Sequence, residues 1–429
     1  MNQAEAALAE AALAEAALAE VFREEWPLLI GAAMRVVGDL QTAEDVVQET
    51  LLTALDRWPL QGVPERPGAW LMTGCRNRAR NLVRDSGRAR RAIAALSSDA
   101  ASDPGQEAGL GAIADDRLRL IAACCHPQLS VDAQVALTLR MVCGLTTEEI
   151  ARGCHLPATA VAQRIVRAKR VLREQGAGFL EDEPYVGARL PAILDVIYLV
   201  FNEGYLAAAG DTLTRGDLAF EAYRLACLVT ELIADEPDPW ALRALVAFQL
   251  SRLATRTDEN GSLLTLDEQD RTRWNRELIA DGVRALSRAR PGSGALLLQA
   301  ELAACHSTAA TFDATDWNAI VRIYDRLKRV EDTPVVAMNR AVAVAMRDGP
   351  AAALPLPNQL AGEPALRGSH RVWAVRADLH RRLRDRPAAT ADYQRALRLV
   401  TNQAERRYLE AALRRVAEQP ADQETHEKG

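Results

Sequence analysis

The stretch LTTEEIARGCHLPATAVAQRIVRAKRVLR, from Leu145 to Arg173, decides the fold, because it predicts two short helices joined by a tight turn. Thr146 stands three residues before Glu149, so each side chain can satisfy a free backbone amide of the other at a helix start. Gly153 is placed to end this first helix, and Pro157 fits the first turn of the second. The stretch therefore predicts a helical hairpin.

The second of these helices has two chemically different faces. Apolar residues recur at spacings of three and four, which predicts one buried face made of Val161, Ile165, Ala168 and Leu172. Arginine and lysine fill much of the rest, and no acidic residue occurs from Ala158 to Arg173. This pattern favours a helix-turn-helix whose second helix enters a DNA major groove. A surface hairpin with a solvated stripe of charge is the alternative.

Composition sets the class of protein. The 429 residues suffice for two to four domains, and their abundant Ala, Leu, Arg and Glu favour an all-α fold. The net charge of −6 excludes a protein that coats nucleic acid uniformly, so any DNA contact must come from local basic patches. Seven dispersed cysteines indicate reduced thiols and a cytoplasmic setting. No apolar run of about 18 residues and no basic leader occur, which predicts neither a membrane span nor a signal peptide.

A second basic patch lies upstream of the helix-turn-helix. We predict a helix over 21–37, a second helix capped by Thr42, a loop at 58–67 and a third helix from Ala69 to about Arg91. Between Arg76 and Arg91 the chain has seven arginines against one aspartate, a local net charge of +6. This concentration of positive charge is typical of a surface that binds phosphate.

The composition also divides the chain into segments. We predict a low-complexity N-terminal extension built on AEAAL (1–20), a first helical module (21–92), a flexible linker rich in Ser, Asp, Pro and Gly (93–115), a second module with the helix-turn-helix (116–176), a C-terminal all-helical domain (177–420) and a disordered tail (421–429).

Several motifs in this order resemble one family. AEDVVQETLLTALDRW, PGAWLMTGCRNRARN and the block from Asp115 through the helix-turn-helix are similar to regions 2 and 4 of extracytoplasmic-function (ECF) sigma factors. These are dissociable promoter-recognition subunits of bacterial RNA polymerase. The resemblance covers about residues 21–176. It implies a protein that binds core RNA polymerase and promoter DNA without catalytic residues, metal or cofactor.

The resemblance also implies roles for individual residues. The second helix would dock on core polymerase through Asp45, Gln48, Glu49 and Leu52. The downstream promoter element would be opened and held by Trp58, Trp70, Asn77, Arg78, Arg80 and Arg84. Both tryptophans have core packing as their alternative role. The upstream element would be read or held by Thr159, Gln163, Arg164, Arg167, Lys169 and Arg170.

The C-terminal half reads as successive helices, including 267–286 and a final pair that resembles a tetratricopeptide repeat. In that pair the packing positions would be Ala377, Leu383, Ala389, Tyr393 and Ala396. The layout resembles the ECF subgroup with a C-terminal repeat domain, which implies control of sigma activity and a regulatory protein or peptide as partner. The family has glycine where Ala353 stands, so Asp348, Gly349 and Pro350 are interpreted as a turn.

Other functions are less well supported by the residues. Cys124, Cys125 and His126, with Cys154 and His155, lack the paired spacing of a zinc site, and the cysteines are interpreted as buried thiols in a helical core. No phosphate-binding loop or nucleophile motif occurs, so we predict no enzyme. The main alternative is a DNA-binding regulator with a repeat-type sensor domain that never joins polymerase. A third is a repeat scaffold with a vestigial sigma part.

Overall fold

The computed structural model describes residues 25–94, 117, 119–154, 156–175, 184–205, 216–363, 366 and 368–418. Every regular element in these ranges is a helix, and Thr257 and Leu263 form an isolated antiparallel bridge. The all-α prediction is confirmed. The predicted N-terminal extension and tail, and nearly all of the predicted linker, lie outside the described residues.

The chain divides into two units, residues 1–199 and 200–429. The first contains α1 (25–37), α2 (Leu40–Gln61), α3 (Pro67–Ala94), α4 (119–124), α5 (Val131–Met141), α6 (Thr147–Gly153) and α7 (Ala158–Gln175). Helix α8 (Pro184–Tyr205) begins in the first unit and ends in the second. Among the described helices, none combines the length and apolar character that a membrane span requires.

Helix α2 begins and ends at different residues from those predicted. Asp39, rather than Thr42, is its N-cap, because the Asp39 carboxylate accepts hydrogen bonds from the backbone amides of Gln41 (3.0 Å) and Thr42 (3.2 Å). The helix continues through Pro59 and ends before Gly62, whose φ of 82° suits a residue without a side chain. The loop predicted from residue 58 therefore starts four residues later.

Each half of the first unit has its own apolar centre. Leu29, Ile30 and Leu71 are fully buried in the half built from α1, α2 and α3, and buried Trp26 of α1 donates to the Arg140 carbonyl (3.2 Å) on α5. In the second half, fully buried side chains come from α4, α5, α6 and α7 and include Leu120, Leu137, Ile150 and Val161. These centres fix the orientation of α2 and α7, the two helices with predicted binding residues.

The second unit is a series of packed helices. They are α9 (Gly216–Leu232), α10 (Pro237–Leu250), α11 (Arg276–Ala289), α12 (Ala295–Thr308), α13 (Trp317–Val330), α14 (Pro334–Asp348), α15 (Pro350–Ala353), α16 (Pro355–Leu360), α17 (His370–Arg382), α18 (Arg386–Leu399) and α19 (Gln403–Glu418). Gly349, with φ of 92°, separates α14 from α15, in agreement with a turn at Asp348–Pro350.

Residues 251–275 form a long irregular segment, so the helix predicted over 267–286 is wrong in its first half. Short polar side chains explain the difference. Asp270 accepts a hydrogen bond from the Thr272 amide (2.9 Å), and Asn275 accepts from the amides of Glu277 and Leu278. Such bonds satisfy the backbone locally and delay the helix start to Arg276.

This segment is tied to distant helices of the same unit. Arg407 on α19 donates to the Gly261 carbonyl (2.9 Å), and Arg415 on α19 lies 3.3 Å from the Glu268 carboxylate. Arg271 donates to the carbonyls of His306 (2.7 Å) and Ala309 (2.9 Å), which end α12. Segment 251–275 therefore bonds to both α12 and α19.

The hairpin of α17 and α18 has most of the predicted packing residues inside. Ala377, Ala389, Tyr393 and Ala396 are buried, whereas Leu383 is 39% exposed at the C-cap of α17. Leu383 is therefore not a packing residue of this hairpin. Its assignment as a tetratricopeptide repeat stays a prediction.

Candidate nucleic-acid interface

The helix-turn-helix is built as its sequence predicts. The Thr146 hydroxyl accepts a hydrogen bond from the Glu149 amide (3.1 Å), and the Glu149 carboxylate accepts one from the Thr146 amide (2.8 Å), which completes a capping box. Helix α6 ends at Gly153, and α7 starts directly after Pro157, whose carbonyl accepts from the Val161 amide (3.2 Å). A seven-residue helix and a short turn thus present α7.

Helix α7 separates an apolar face from a polar one. Its four predicted core residues, Val161, Ile165, Ala168 and Leu172, are all buried. Most of the residues expected to face DNA are exposed: Thr159, Gln163, Arg167 and Arg170. An amide, a hydroxyl and two guanidinium groups on one exposed face can donate to base edges and phosphates in a groove.

Two predicted contact residues of α7 are engaged within the protein. Lys169 is 8% exposed, and its ammonium group donates to the Glu44 carboxylate and to Gln41 Oε1 (3.2 Å) on α2. Because α2 covers Lys169 in this arrangement, its predicted contact with phosphate requires that α2 first release it, and the contact stays a prediction. Arg164 is half-buried and lies 3.3 Å from the Asp132 carboxylate.

Glu44 is the acceptor at this meeting of α2 and α7. It also accepts from Arg140 Nε (3.0 Å) and Nη2 (2.7 Å), and it is 4% exposed. Burial alone would raise the pKa of Glu44, but the adjacent Lys169 and Arg140 charges hold it below its usual value. Sequence reasoning missed this cluster, because its members are 96 and 125 residues apart from Glu44.

The neighbouring face of α2 is open to solvent, and Gln48 Nε2 on this face donates to Glu44 Oε1 (3.3 Å). Asp45, Gln48, Glu49 and Leu52, the residues expected to contact polymerase, are all exposed, and Leu52 is 59% exposed. The spacing of three and four places them on one helical face. An exposed leucine among acidic and amide side chains is typical of a protein-binding surface.

The basic helix α3 contributes a second polar surface. Asn77, Arg80 and Arg84 are exposed. Arg78 is half-buried against α2, where its Nε lies 2.7 Å from the Glu49 carboxylate. The side chains after Asp85, including the last three arginines of the predicted patch, lie outside the described residues.

The two tryptophans differ in accessibility. Trp58 is 3% exposed and packs edge-on against Trp70, with ring centroids 5.7 Å apart. Trp58 thus has no open ring face for a base, and its prediction as a stacking group is wrong, because α2 carries it into the core. Trp70 is half-buried. It is the aromatic group that stays available at this surface.

Three of the four cysteines of the second module, Cys124, Cys125 and Cys143, are buried, and Cys154 is partly buried. Burial raises the pKa of Cys125 to about 12. A thiol with such a pKa is poorly reactive and a poor metal ligand at neutral pH. Among the described residues, no group of three or more side chains is arranged to hold a metal ion.

Comparison with known families matches three parts of the chain. Residues 21–89 match sigma-70 region 2, and residues 119–172 match sigma-70 region 4. Residues 189–290 match a family of unknown function, DUF6596. The two sigma matches contain α2, α3 and α7, which carry every predicted binding residue.

Comparison with individual proteins extends these matches. An uncharacterized protein of Rhizobium meliloti is 36% identical over 411 residues, which cover 94% of this chain and 96% of that protein. The ECF RNA polymerase sigma factor SigL of Mycobacterium tuberculosis is 32% identical over 154 residues, which cover 36% of this chain and 85% of SigL. No solved structure matches the chain. With regions 2 and 4 in order and a sigma factor aligned over most of its length, this chain belongs to the ECF family of RNA polymerase sigma factors.

Proposed function

We propose that this protein binds core RNA polymerase, recognises a two-part promoter and opens it for transcription initiation, under the influence of its C-terminal helical unit. The observation that carries this proposal is the exposed polar face of α7, whose opposite face is fully packed. Its role is binding and strand opening, in keeping with sigma domains that point to a transcription factor rather than an enzyme.

Polymerase docking is assigned to the exposed face of α2. Asp45, Gln48, Glu49 and Leu52 offer acidic, amide and apolar groups side by side. A basic, partly apolar helical surface on the polymerase would complement them. Glu49 is itself positioned by Arg78, at 2.7 Å, so docking and the position of α3 are coupled.

Strand opening is assigned to α3. Asn77, Arg80 and Arg84 can hold phosphates or an unpaired base. Arg78 pairs with Glu49 and so fixes α3 against α2. Trp70 offers a partly accessible ring. Opening a duplex costs a few kcal/mol per unstacked step, which binding of the exposed strand to cations and an aromatic ring would offset.

Upstream recognition is assigned to α7. Thr159, Gln163 and Arg167 are placed to face base edges, while Arg170 is placed to hold phosphate. Arginine reads guanine and glutamine reads adenine through paired hydrogen bonds. Arg164 joins this surface when its contact with Asp132 yields to DNA.

In vitro transcription tests the proposal. Purified core RNA polymerase is combined with a library of promoter fragments, with and without this protein. We expect initiation from a discrete subset of fragments that depends on the protein. Duplex binding without polymerase binding would instead support the alternative, a conventional regulator that never joins polymerase.

A truncation tests the influence of the C-terminal unit. The shortened chain should retain α8 and end after Tyr205, because Arg189 on α8 donates to the carbonyls of Ala122 and Cys125 at the end of α4. We expect transcription by this chain to differ from that of the full chain at equal folded concentration, checked by circular dichroism. Equal transcription would show that the C-terminal unit has no regulatory or supporting role.

A further inference from the structure

Ion pairs between α2 and α7 hold region 2 against region 4, and contacts of this kind can break reversibly. The region 2 side supplies acids and the region 4 side supplies cations. Glu44 accepts from Arg140 and Lys169, and Asp39 lies 3.4 Å from Arg173. Asp39 and Glu44 both belong to the start of α2, while Lys169 and Arg173 both belong to α7. Opposite charges are thus matched along one short interface.

Lys169 is the central member of this interface. It is one of three lysines in the chain, with Lys328 and Lys428, among 52 basic residues. Its ammonium group is compact and lies between Glu44 and Gln41 with 8% of its surface exposed. An ammonium group is a point charge that a phosphate oxygen can satisfy as well as a carboxylate can. The partner of Lys169 can therefore be exchanged.

A DNA phosphate would compete with Glu44 for Lys169. Lys169 and Arg173 lie on the helix whose exposed face is assigned to the upstream promoter element, and a bound duplex brings its phosphates to that helix. While Glu44 holds Lys169, one phosphate contact is missing from the recognition helix. Arg140 stays fixed on the region 4 side, since it also donates to the Leu145 carbonyl (3.1 Å).

Polymerase does not face the same competition. Asp45, Gln48, Glu49 and Leu52 are exposed in the closed arrangement, and Gln48 Nε2 donates to Glu44 Oε1 (3.3 Å). These four side chains therefore stay accessible to a protein partner while Glu44 holds Lys169. Closure therefore restricts DNA binding while it leaves the docking face of α2 accessible.

We propose that Glu44 is an intramolecular competitor of DNA phosphate, which holds region 2 against the recognition helix by occupying Lys169 and so lowers the affinity of the free protein for DNA. The inference rests on the proposed function, because it takes α7 as the DNA-binding helix and α2 as the docking helix.

Lysine modification of the unaltered full chain gives the first test. The protein is acetylated with a limiting amine reagent, and the rate at each lysine is read by mass spectrometry. Lys328, which is exposed on α13, serves as the internal reference. We expect Lys169 to react much more slowly than Lys328, and to approach the Lys328 rate in Glu44→Gln. A wild-type Lys169 as reactive as Lys328 would overturn the proposal.

DNA binding gives the second test. Binding of full-length wild type and Glu44→Gln to a fluorescent duplex of mixed sequence is measured over a range of salt concentrations, without polymerase. If about nine molecules in ten are closed, release raises the apparent affinity up to about tenfold. The plot of log affinity against log salt steepens by about one unit as Lys169 gains a phosphate. Unchanged affinity and slope would overturn the proposal.

Two further variants serve as controls, one for general charge and one for folding. Glu148→Gln removes an exposed acid from α6 of the same helix-turn-helix without touching α2. If it raises DNA affinity as much as Glu44→Gln does, the effect is general charge and the proposal fails. Glu44→Asp keeps the charge on a shorter side chain, and we expect an intermediate affinity. It replaces Glu44→Gln if circular dichroism shows that variant to be unfolded.

Polymerase binding separates this inference from the proposed function. We expect Glu44→Gln and wild type to bind core polymerase equally well, because the docking side chains are exposed and the amide oxygen introduced by Glu44→Gln can still accept from Gln48. A chain that binds no polymerase would contradict the proposed function. The lysine and DNA measurements contain no polymerase, so they decide the role of Glu44 in either case.

Discussion

Glu44 in the first unit and Asp281 in the second hold arginine in almost the same way, but they join different kinds of neighbours. Asp281 accepts from Arg243 Nε (3.0 Å) and Nη2 (2.8 Å), much as Glu44 accepts from Arg140. The other donors differ in where they lie: Asp281 accepts from the Tyr223 hydroxyl (2.8 Å) and from Arg284 on its own helix (3.2 Å), whereas Glu44 accepts from Lys169 on α7. Asp281 and Arg243 are 38 residues apart on adjoining helices, whereas Glu44 and Arg140 lie in separate modules. Similar carboxylate–arginine pairs thus join two helices of one unit at Asp281 and two separate modules at Glu44.

The largest effect should come from Asp281→Asn. This change leaves the Arg243 charge half-buried beside Thr230 without its partner, in a hairpin that cannot open without unfolding. Breaking a buried pair in this way costs about 3–5 kcal/mol. Thermal or urea unfolding of the full chain, followed by circular dichroism, measures the loss. Asp267→Asn, an exposed position in segment 251–275, is the matched control, and equal midpoints for the two variants would contradict the comparison.

The second largest effect should be a loss of stability at acid pH through protonation of Asp281. Burial would raise the pKa of Asp281, but hydrogen bonds from Arg243 and Tyr223 hold it below its usual value. A carboxylate with a lowered pKa contributes stability above its unfolded pKa and loses it as the pH falls through the folded pKa. We expect the unfolding midpoint of the second unit to be flat from about pH 7 to 5 and to fall below about pH 4. In Asp281→Asn this fall should be smaller, and an unchanged pH profile would refute the role of Asp281.

Glu44→Gln should destabilise less than Asp281→Asn does. The stranded Lys169 and Arg140 regain water once region 2 and region 4 separate, so the full penalty of a buried charge is avoided. The loss is then that of charged hydrogen bonds, about 1–2 kcal/mol. Urea unfolding of both variants in parallel gives the comparison. A loss as large as that of Asp281→Asn would mean that the first unit cannot open at this interface.

The smallest effect is expected from Thr146→Ala, which removes the capping box of α6 and touches neither ion pair. Loss of such a cap costs about 1 kcal/mol. Thr73→Ala, at an exposed position inside α3, serves as control. Hydrogen exchange at the α6 amides measures local opening. Faster exchange confined to α6 is expected, and exchange unchanged in α6 would show that the cap contributes nothing.

The parts of the structure that sequence predicted are those set by near neighbours. Thr146 and Glu149 are three residues apart, and the buried face of α7 repeats at three and four. Both features appear as predicted because they depend on helix geometry alone. Helix α2 shows the limit of this reasoning. Asp39 and Thr42 are both good caps by composition, and the choice between them follows from hydrogen bonds that the residue types do not fix.

The features that sequence did not predict depend on distant residues. Lys169 carries the signature of a phosphate contact, yet its partner is 125 residues away on α2. Trp58 is followed by proline and looks like part of a loop, but α2 continues past it and buries the ring. In the C-terminal half, Asp270 and Asn275 turned a predicted helix into an irregular segment through local side-chain bonds.

The bonds between segment 251–275 and α19 have a consequence for folding. In a plain stack of helix pairs each pair contacts its neighbours alone, so the array can fray from an end while the rest stays folded. Here Arg407 reaches Gly261 across 146 positions of the chain, and Arg415 reaches Glu268 across 147. Loss of the last helix therefore removes partners from the first third of the unit. The second unit should unfold as one cooperative block. Its folding should be slow, because it requires contacts between residues far apart in the sequence.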